Sequence, residues 1–315
     1  MHFLIPVAEA HEVYVLDHAE LARGLAAPAF PAGAAIRAYL TPFLGWAFLI
    51  VGTLALMLAL SLTRPGRRLS RLTDHLKPLA PRIAQLTLGA ALTASGYYGA
   101  VFGPELSLTS IFGPWAPVAS GVLLALGLMI IVGYRPRLAG AAAVALFIAF
   151  TCDYGTYLLN YGTYLGEALV LTLWGGAYAW TDLRDWGHPL KFAVLRVLFG
   201  LSLIYASLYA KLIHGTLALE VVSKYQLTHY FPFNPIFLVL GAMCIELLFG
   251  LCFISGFQLR FISLAFLTFL GLSLIFFGEA VWPHLILIGT ALAIFCHGPD
   301  AYTLDARIRR RPRVV

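Results

Sequence analysis

The chain has 315 residues, of which 60% are hydrophobic and only 11% charged, with a mean hydropathy of +0.84 and a formal net charge of +6. A soluble domain carries about a quarter charged residues, so this composition excludes a soluble globular protein and requires a surface that faces lipid. The basic residues stand in a few connections and a C-terminal arginine cluster, a pattern of anchoring at anionic lipid rather than of nucleic-acid binding.

An acidic N-terminal stretch, residues 1–36, precedes nine apolar runs that predict helices crossing a hydrocarbon core about 30 Å thick. We therefore predict an all-α integral membrane protein with about nine transmembrane helices. Two longer and less hydrophobic connections, 102–116 and 212–234, are expected to form re-entrant or interfacial caps. The runs fall at 40–62, 83–102, 117–133, 138–154, 163–180, 192–212, 234–255, 261–279 and 283–297.

The connections between the runs alternate in their content of Lys and Arg. Basic residues follow the first, third, fifth, seventh and ninth runs, whereas the even-numbered connections contain only Lys224. Because cytoplasmic connections carry the excess of Lys and Arg, this alternation predicts a multi-pass protein of the cell inner (plasma) membrane. Its N-terminus is expected outside and its C-terminus in the cytoplasm.

The chain also repeats itself. Gly127–Gly155 can be laid over Gly250–Gly278 without a gap, and both copies contain a helix that ends in Gly, an aromatic residue and a basic turn. We predict one leading helix and two four-helix units in the same orientation, which are parallel repeats. The predicted segments are an exported tail (1–36), a leading helix with a basic loop (37–82), the first unit (83–187), the second unit (188–299) and a basic cytoplasmic tail (300–315).

Ionisable groups inside an apolar span cost a few kcal/mol, so they are functional candidates. Glu246 lies eight or more residues from either end of its run, where desolvation would keep its carboxyl neutral and able to pass a proton. The alternative is a structural acid bonded to a neighbouring helix. Lys211, near the outer end of the sixth helix, is expected to pair with Glu246 or to bind an anionic or carbonyl head group; the alternative is snorkelling to the interface.

A second cluster lies in the turn between the last two helices. Glu279 and His284, next to Trp282, have the chemistry of a proton relay, although an interfacial anchor is the alternative. His229 and Phe231, just before the seventh helix, are expected to cap the same site.

The first unit carries Leu123 where the second carries Glu246, and Ala100 where the second carries Lys211. We therefore expect the first unit to serve as a scaffold. Its remaining candidates occupy the corresponding outer positions, namely Asp153, Tyr154, Tyr164 and Glu167.

Metal and covalent cofactor motifs are not predicted. His11 and His18 are seven residues apart without a third ligand nearby, so a solvated tail is favoured over a metal site. The four cysteines lie in apolar runs without a CxxC pair and are expected to be buried, inert thiols. No CxxCH haem motif, iron–sulfur motif, Gly-rich phosphate loop, GxSxG or HExxH occurs.

The second unit resembles the DoxX family of membrane proteins. Arg196–Lys211 is similar to the first helix of that family, and Glu246–Arg260 is similar to its second helix and following turn, with an acid, a Gly and then a Gly-aromatic-x-x-basic turn. The resemblance implies a four-helix membrane unit. Some family members resemble the membrane subunit of thiosulfate:quinone oxidoreductase, so it also implies a quinone as cofactor.

Our hypothesis is a membrane subunit associated with a redox enzyme that binds quinone or relays protons at an outer-side pocket of the second unit. Glu246 would buffer a proton, and Lys211 and His284 would bind a quinone carbonyl, while electrons would arrive from a protein partner. The aromatic packing residues would be Tyr209, Trp282 and Phe231. The alternative is a non-catalytic structural or assembly subunit of a larger complex, in which Glu246 and Lys211 are a neutralised packing pair.

Overall fold

The computed structural model describes residue 16 and residues 18–28, 30–175 and 189–310. This part of the chain is helical and forms no strand beyond an isolated bridge between Ala100 and Ser107. A helix lies in each of the nine apolar runs. The boundary predicted between the two units, near residue 187, falls in the stretch 176–188, which is outside the described residues.

The helices that precede the first unit are α1 (His18–Ala26), α2 (Ala32–Ala38), α3 (Leu40–Leu62) and α4 (Arg64–Thr73), with a 3-10 turn at Asp74–Leu79. The predicted first unit contains α5 (Ala80–Tyr98), α6 (Leu108–Phe112), α7 (Ala116–Val132), α8 (Pro136–Tyr154) and α9 (Gly162–Trp174). The second contains α10 (Pro189–Leu208), α11 (Gly215–Lys224), α12 (Leu227–Tyr230), α13 (Pro235–Ser255), α14 (Leu259–Phe277) and α15 (Leu285–His297), and α16 (Leu304–Arg310) follows.

Six helical stretches are long and apolar enough to cross a membrane, so the protein is a multi-pass membrane protein. They are Leu40–Leu62, Leu108–Val132, Pro136–Leu173, Leu190–Ile213, Pro235–Ser255 and Leu259–Phe277. The third stretch has 38 residues and includes both α8 and α9, which pack against each other on either side of the turn Gly155–Tyr161. The last apolar helix, Trp282–His297, is shorter.

Six helices form the main contacts of the bundle. Helix α5 packs against α7 and α15, while α10 packs against α13 and α9. Helix α3 lies at the edge of this bundle and none of its residues is buried, although Phe43 packs against Phe237 of α13 with ring centroids 4.8 Å apart. The helices alternate in direction, so the bundle has one end with Tyr98, Lys211 and Glu279, here called the acidic end, and an opposite end with Arg196 and Arg260, here called the basic end.

Two glycine pairs allow the closest helix crossings in the bundle centre. A Cβ atom on Gly89 of α5 would lie 2.8 Å from the carbonyl oxygen of Gly127 in α7. A Cβ atom on Gly200 of α10 would lie 2.6 Å from the carbonyl oxygen of Gly250 in α13. Small residues let helix backbones approach closely in a membrane, so these glycines are required by packing.

Helices α7 and α13 end in the Gly-aromatic turns that the sequence contains. Gly133 and Gly256 adopt left-handed φ values of 75° and 69°. The following aromatic residues complete each cap, because Tyr134 N–H donates to Met129 O at 2.9 Å and Phe257 N–H donates to Cys252 O at 3.0 Å. This pattern is the Schellman cap, which satisfies the last carbonyl groups of a helix.

Buried side chains cover other carbonyl groups at the basic end. The Nε2 atom of Gln85 donates to Ile130 O at 2.6 Å, and Arg196 donates to Phe253 O and Ile254 O. Gln85 and Arg196 are 2% and 3% exposed. Arg196, one of the basic residues near the membrane boundary, therefore acts inside the protein as a helix cap.

Arg260 ties the segment after α3 to the second unit. Its guanidinium donates to Ser70 O at 2.7 Å, to Asp74 Oδ1 at 2.8 Å and to Phe295 O at 3.3 Å. Lys77 also contacts Asp74 Oδ1 at 3.2 Å. The basic connection after the first apolar run is thus joined to the protein through Arg260 and Asp74.

The N-terminal stretch packs at the acidic end. Two ion pairs join α1 to α11, one between Arg23 and Glu220 at 3.2 Å and the other between Lys224 and Glu20 at 2.7 Å. Leu16 packs with residues of the turn that follows α10. Residues 1–15 are outside the described residues, including His11.

One expectation about the cysteines is wrong. Cys252 and Cys296 are buried and Cys244 is half-buried, but Cys152 is exposed. Cys152 lies in the last turn of α8, on a face that does not contact the bundle. An apolar run in a membrane protein has a lipid-facing side, so a cysteine in it is not necessarily buried by protein.

Candidate functional site

Lys211 and Glu246 form an ion pair between α13 and the turn after α10. Lys211 Nζ lies 2.9 Å from Glu246 Oε2, and the two side chains are 16% and 22% exposed. The sequence predicted this pairing as one of the roles of Lys211. The partner of Glu246 is therefore a charged group, which offsets part of the cost of placing a carboxylate in an apolar helix.

The backbone at Lys211 departs from the α-helix. Residues Tyr209–Ile213 form a π-helical turn, and His214 N–H donates to Tyr209 O at 3.0 Å. Single π turns are frequent at functional sites because they shift the direction of side chains along a helix. Here the π turn carries Tyr209 and Lys211, which are two of the predicted site residues.

Glu279 and His284 form the second pair. His284 Nε2 lies 3.1 Å from Glu279 Oε2, and His284 Nδ1 lies 3.1 Å from Ala280 O. A carbonyl oxygen only accepts hydrogen bonds, so Nδ1 carries a hydrogen. A single proton then joins Nε2 to the carboxyl, in either an imidazolium–carboxylate or an imidazole–carboxylic acid pair. The His284 side chain is 1% exposed and that of Glu279 is 11% exposed, so Glu279 is the member nearer the surface.

Two of the predicted aromatic residues, Trp282 and Tyr209, contact the first unit. Trp282 stacks on Tyr98 with ring centroids 5.1 Å apart and planes at 17°. Tyr209 contacts Tyr157 edge-on at 5.4 Å and His214 at 4.6 Å. The acidic ends of the two units are therefore joined by aromatic side chains.

His229 and Phe231 lie on a different surface from the two ionisable pairs. His229 lines an open groove of about 600 Å³ together with residues of α11 and the start of α13. Phe231 is 53% exposed. None of Lys211, Glu246 or His284 lines this groove, so the described contacts form two ionisable pairs and a separate groove rather than one pocket with all eight predicted residues.

Glu105 is a candidate site residue that was not predicted from the sequence. Tyr157 Oη donates to Glu105 Oε1 at 2.7 Å, and Tyr161 Oη donates to the same oxygen. Tyr164 Oη donates to Phe102 O at 3.3 Å. A lone carboxylate in the otherwise apolar connection 102–116 was the available signal. Its contacts place a further carboxyl group, beside Tyr157 and Tyr161, at the acidic end.

Glu167 lies in the bundle interior, deeper than the acidic-end turns. Its Oε1 atom accepts a hydrogen bond from Thr290 Oγ1 at 2.6 Å, and the residue is 2% exposed. This contact joins α9 of the first unit to α15 of the second. Helix α9 begins at Gly162, so Glu167 lies more than one turn inside it.

The other first-unit candidates are separate from these groups. Asp153 is exposed and Tyr154 packs against Phe150, with ring centroids 6.2 Å apart. Within the described ranges no group of three or more His, Cys, Asp or Glu side chains could hold a metal ion.

Comparisons of the chain with protein-family models, with curated proteins and with solved structures give no match. Its function is therefore inferred from the contacts of the chain itself.

Proposed function

We propose that the protein is the membrane subunit of a quinone-linked redox complex, and that the acidic end of its second unit exchanges protons with a quinone head group. The chain contains no covalent haem or iron–sulfur motif, so electrons would come from a protein partner. When bound, a quinone accepts electrons together with protons. The contribution of this chain would be to hold the head group and to supply protons.

The observation that carries the proposal is the Glu279–His284 pair. Because Ala280 O fixes the hydrogen on Nδ1, one proton remains between Nε2 and the carboxyl. Such a pair can release or take up a proton with a small change of geometry. Both ring nitrogens of His284 are engaged, so Glu279 is the group that would exchange the proton with a bound molecule, and His284 would hold it.

Lys211 is the residue that would bind the head group. Its ammonium has three donor hydrogens, and Glu246 orients it at 2.9 Å. The part of the side chain that remains exposed lies on the π turn with Tyr209. The Lys211 side chain is 16% exposed, and an ammonium oriented by a carboxylate can donate to a carbonyl oxygen, which supports the fit of a quinone head group at this end.

We also infer that the nine apolar helices all span the membrane, as one leading helix and two parallel four-helix units. Corresponding contacts support this arrangement. Gly127 lies over Gly250, and the preceding helices, aligned separately, lay Gly89 over Gly200, so the two glycine crossings correspond to each other. The Gln85–Ile130 hydrogen bond corresponds in the same way to that between Arg196 and Phe253. The alternation of basic connections supports an acidic end outside the cytoplasm.

The test is to measure quinone in the protein purified from its own membrane in a mild detergent, by mass spectrometry. We expect stoichiometric quinone in the wild type and its loss in Lys211→Met. Lys224→Met is the matched control, since Lys224 is another acidic-end lysine in an ion pair with a glutamate, and it should retain quinone. Absence of quinone from the wild type, prepared from a membrane that contains it, would contradict direct binding.

The proton step has its own measurement in the intact complex. We expect Glu279→Gln to keep quinone bound but to slow quinone reduction about a hundredfold, the usual size of a lost general acid or base. An unchanged rate in Glu279→Gln would exclude Glu279 from the proton step.

A structural or assembly subunit is the second candidate, and α3 favours it. This helix is 23 residues long and none of them is buried. An apolar helix with no buried residue offers a surface for a helix of another subunit. In this case deletion of the protein should lower the yield of the complex but leave the specific activity of the remaining complex unchanged.

A further inference from the structure

Glu167 combines deep burial with an unsatisfied oxygen. Its Oε1 accepts the Thr290 hydroxyl, but Oε2 is buried and has no hydrogen-bond partner among the described residues. An ionised carboxylate in such surroundings would cost several kcal/mol, and a carboxyl group that carries a proton avoids this cost. The geometry assigns the roles of the two oxygens, with Oε1 as the carbonyl oxygen that accepts from Thr290 and Oε2 as the atom that carries the proton.

Hydroxyl groups continue from Glu167 toward the acidic end. Thr163 lies one turn away on the same face of α9, since residues four apart are neighbours on a helix. Ser95 lies on α5 near the Tyr164 phenol. Thr163 and Ser95 are 1% and 0% exposed. The Thr163 hydroxyl oxygen, like Glu167 Oε2, has no hydrogen-bond partner in the described part of the chain, and the Ser95 hydroxyl faces the Tyr164 phenol. Tyr164 in turn donates to the carbonyl oxygen of Phe102, which lies three residues before Glu105.

Toward the basic end, the side chains next to Glu167 are mainly apolar. Ala168 and Leu171 follow on α9, Leu88 lies on α5, and Ala293 and Ile294 lie on α15, all of them buried. The polar side chains on this side, Gln85, Thr87 and Thr172, donate to backbone carbonyl groups. The hydroxyl of Thr163, which has no such partner in the described ranges, lies on the acidic-end side of Glu167. Buried polar groups without partners require an explanation, and a one-sided row of them that ends at a carboxyl group is the arrangement of a proton-access path.

We propose that Glu167 is a proton-binding site at the interface of the two units, loaded from the acidic end through Ser95, Thr163 and Tyr164. Glu167 takes up a proton from water at that end to form a neutral carboxylic acid, and it returns the proton by the same route. The first unit, which sequence comparison assigned to a scaffold role, would then hold a proton site of its own. The site is independent of the quinone proposal because it uses none of the same residues.

The charged and titratable groups on the helices around α9 lie toward helix ends. Within α9 itself the nearest is Tyr164, with Glu105 beyond it. On α5 these groups are Arg82, Tyr97 and Tyr98, and on α8 they are Arg137, Cys152, Asp153 and Tyr154. On α10 they are Lys191, Arg196 and Tyr205, and on α15 they are Cys296 and His297. The Glu167 carboxyl itself contacts the hydroxyl of Thr290 and the backbone N–H of Leu88.

The test is infrared spectroscopy of the purified protein, which detects the C=O stretch of a protonated carboxyl group. We expect a band at neutral pH that is absent from Glu167→Gln, a variant that can keep the Thr290 hydrogen bond. Thr290→Val, a second variant, should move this band to higher frequency because the carbonyl oxygen loses its donor. Transfer to heavy water should shift the band as the proton exchanges.

The path is tested by the rate of that exchange. Thr163→Val should slow it, whereas Thr268→Val should not, since Thr268 is an exposed threonine bonded to its own helix at Leu264 O. Two results would overturn the proposal: identical carboxyl bands in wild type and Glu167→Gln, or a band that never shifts in heavy water. Neither readout depends on bound quinone, so the failure of one proposal is distinguishable from the failure of the other.

Discussion

At the scale of single residues, three carboxyl groups of the bundle have partners of three different kinds. Glu246 has the ammonium of Lys211, Glu279 has an imidazole and Glu167 has a hydroxyl. These partners differ in the charge that they supply, and the charge decides which form of the carboxyl is stable. An ammonium favours the carboxylate, a hydroxyl in apolar surroundings favours the acid, and an imidazole can exchange the proton. The three groups are therefore chemically unequal even though all are acids in an apolar protein.

Asp74, which lies outside the membrane-spanning stretches, gives a prediction about pH. Burial raises the pKa of its carboxyl, but hydrogen bonds and charge from Arg260 and Lys77 outweigh burial and lower that pKa below its ordinary value of 3.8. A lowered pKa in the folded state contributes stability above pH 3.8, and this contribution is lost as the pH falls through the folded-state pKa. We expect Asp74→Asn to lower the unfolding temperature at neutral pH and to reduce the loss of stability on acidification.

The measurement is the unfolding temperature in detergent as a function of pH, for wild type and variant. Asp153→Asn is the control, because Asp153 is an exposed aspartate at the other end of the bundle. If Asp74→Asn and wild type had parallel stability curves down to the acid limit, the Arg260–Asp74 contact would make no contribution to stability.

At the scale of helices, the glycine crossings predict which substitutions separate the bundle. A Cβ atom on Gly250 would lie 2.7 Å from the carbonyl oxygen of Gly200, which is backbone and cannot move aside alone. We expect Gly250→Ala to destabilise the protein by about 1–3 kcal/mol, the usual cost of overpacking. Unfolding in mixed micelles of increasing denaturing detergent measures this difference.

The control lies in the same helix. Gly241 of α13 has no atom within 4 Å of the position that its Cβ would occupy. Gly241→Ala should leave stability unchanged or raise it by up to about 1 kcal/mol, because Ala favours the helix over Gly. Equal effects of the two substitutions would mean that the α10–α13 crossing is not limited by backbone contact.

The helices themselves were predictable from the sequence, since apolar run length depends only on composition along the chain. Run 40–62 coincides with α3, and run 234–255 begins one residue before α13. The pairing of Lys211 with Glu246 was also within reach, because a buried charge requires a partner. In both cases one physical effect decides the result, which is the length of the apolar run for the helices and the cost of an unpaired buried charge for the ion pair.

The depth of Glu167 was not predicted, because it depends on how the two units meet. The alignment that lays Gly127 over Gly250 also lays Gly166 over Gly289 and Glu167 over Thr290, so the contact joins corresponding positions of the two units. The alignment could have suggested this relation, but it contains no information on which helix faces pack together. The Glu105–Tyr161 contact was missed for the same reason, since it joins a connection to a turn more than fifty residues away.

At the scale of the whole molecule, the central question is how often the chain crosses the membrane. Six stretches meet the criteria of length and hydropathy, but one of them contains both α8 and α9. Because α8 packs along α9, the chain reverses at Gly155–Tyr161. A reversal at the far surface makes two spans, whereas a reversal inside the bilayer would make a re-entrant hairpin with both ends on one side.

Labelling of introduced cysteines by a membrane-impermeant maleimide distinguishes these cases. In a background in which the exposed Cys152 and half-buried Cys244 are replaced by serine, Thr156→Cys and Ser110→Cys should be labelled in sealed cells, since both positions are exposed at the acidic end. Leu72→Cys and Arg135→Cys, at the basic end, should be labelled only after permeabilisation. The background without introduced cysteines is the control.

If Thr156→Cys resisted labelling in sealed and permeabilised cells alike while Ser110→Cys was labelled from outside, the turn would lie within the bilayer and the nine-span arrangement would be excluded. Labelling of Thr156→Cys from outside, together with protection of Arg135→Cys, requires that α8 cross the membrane completely, and the same sidedness places Lys211, Glu279 and the entrance to Glu167 outside the cytoplasm.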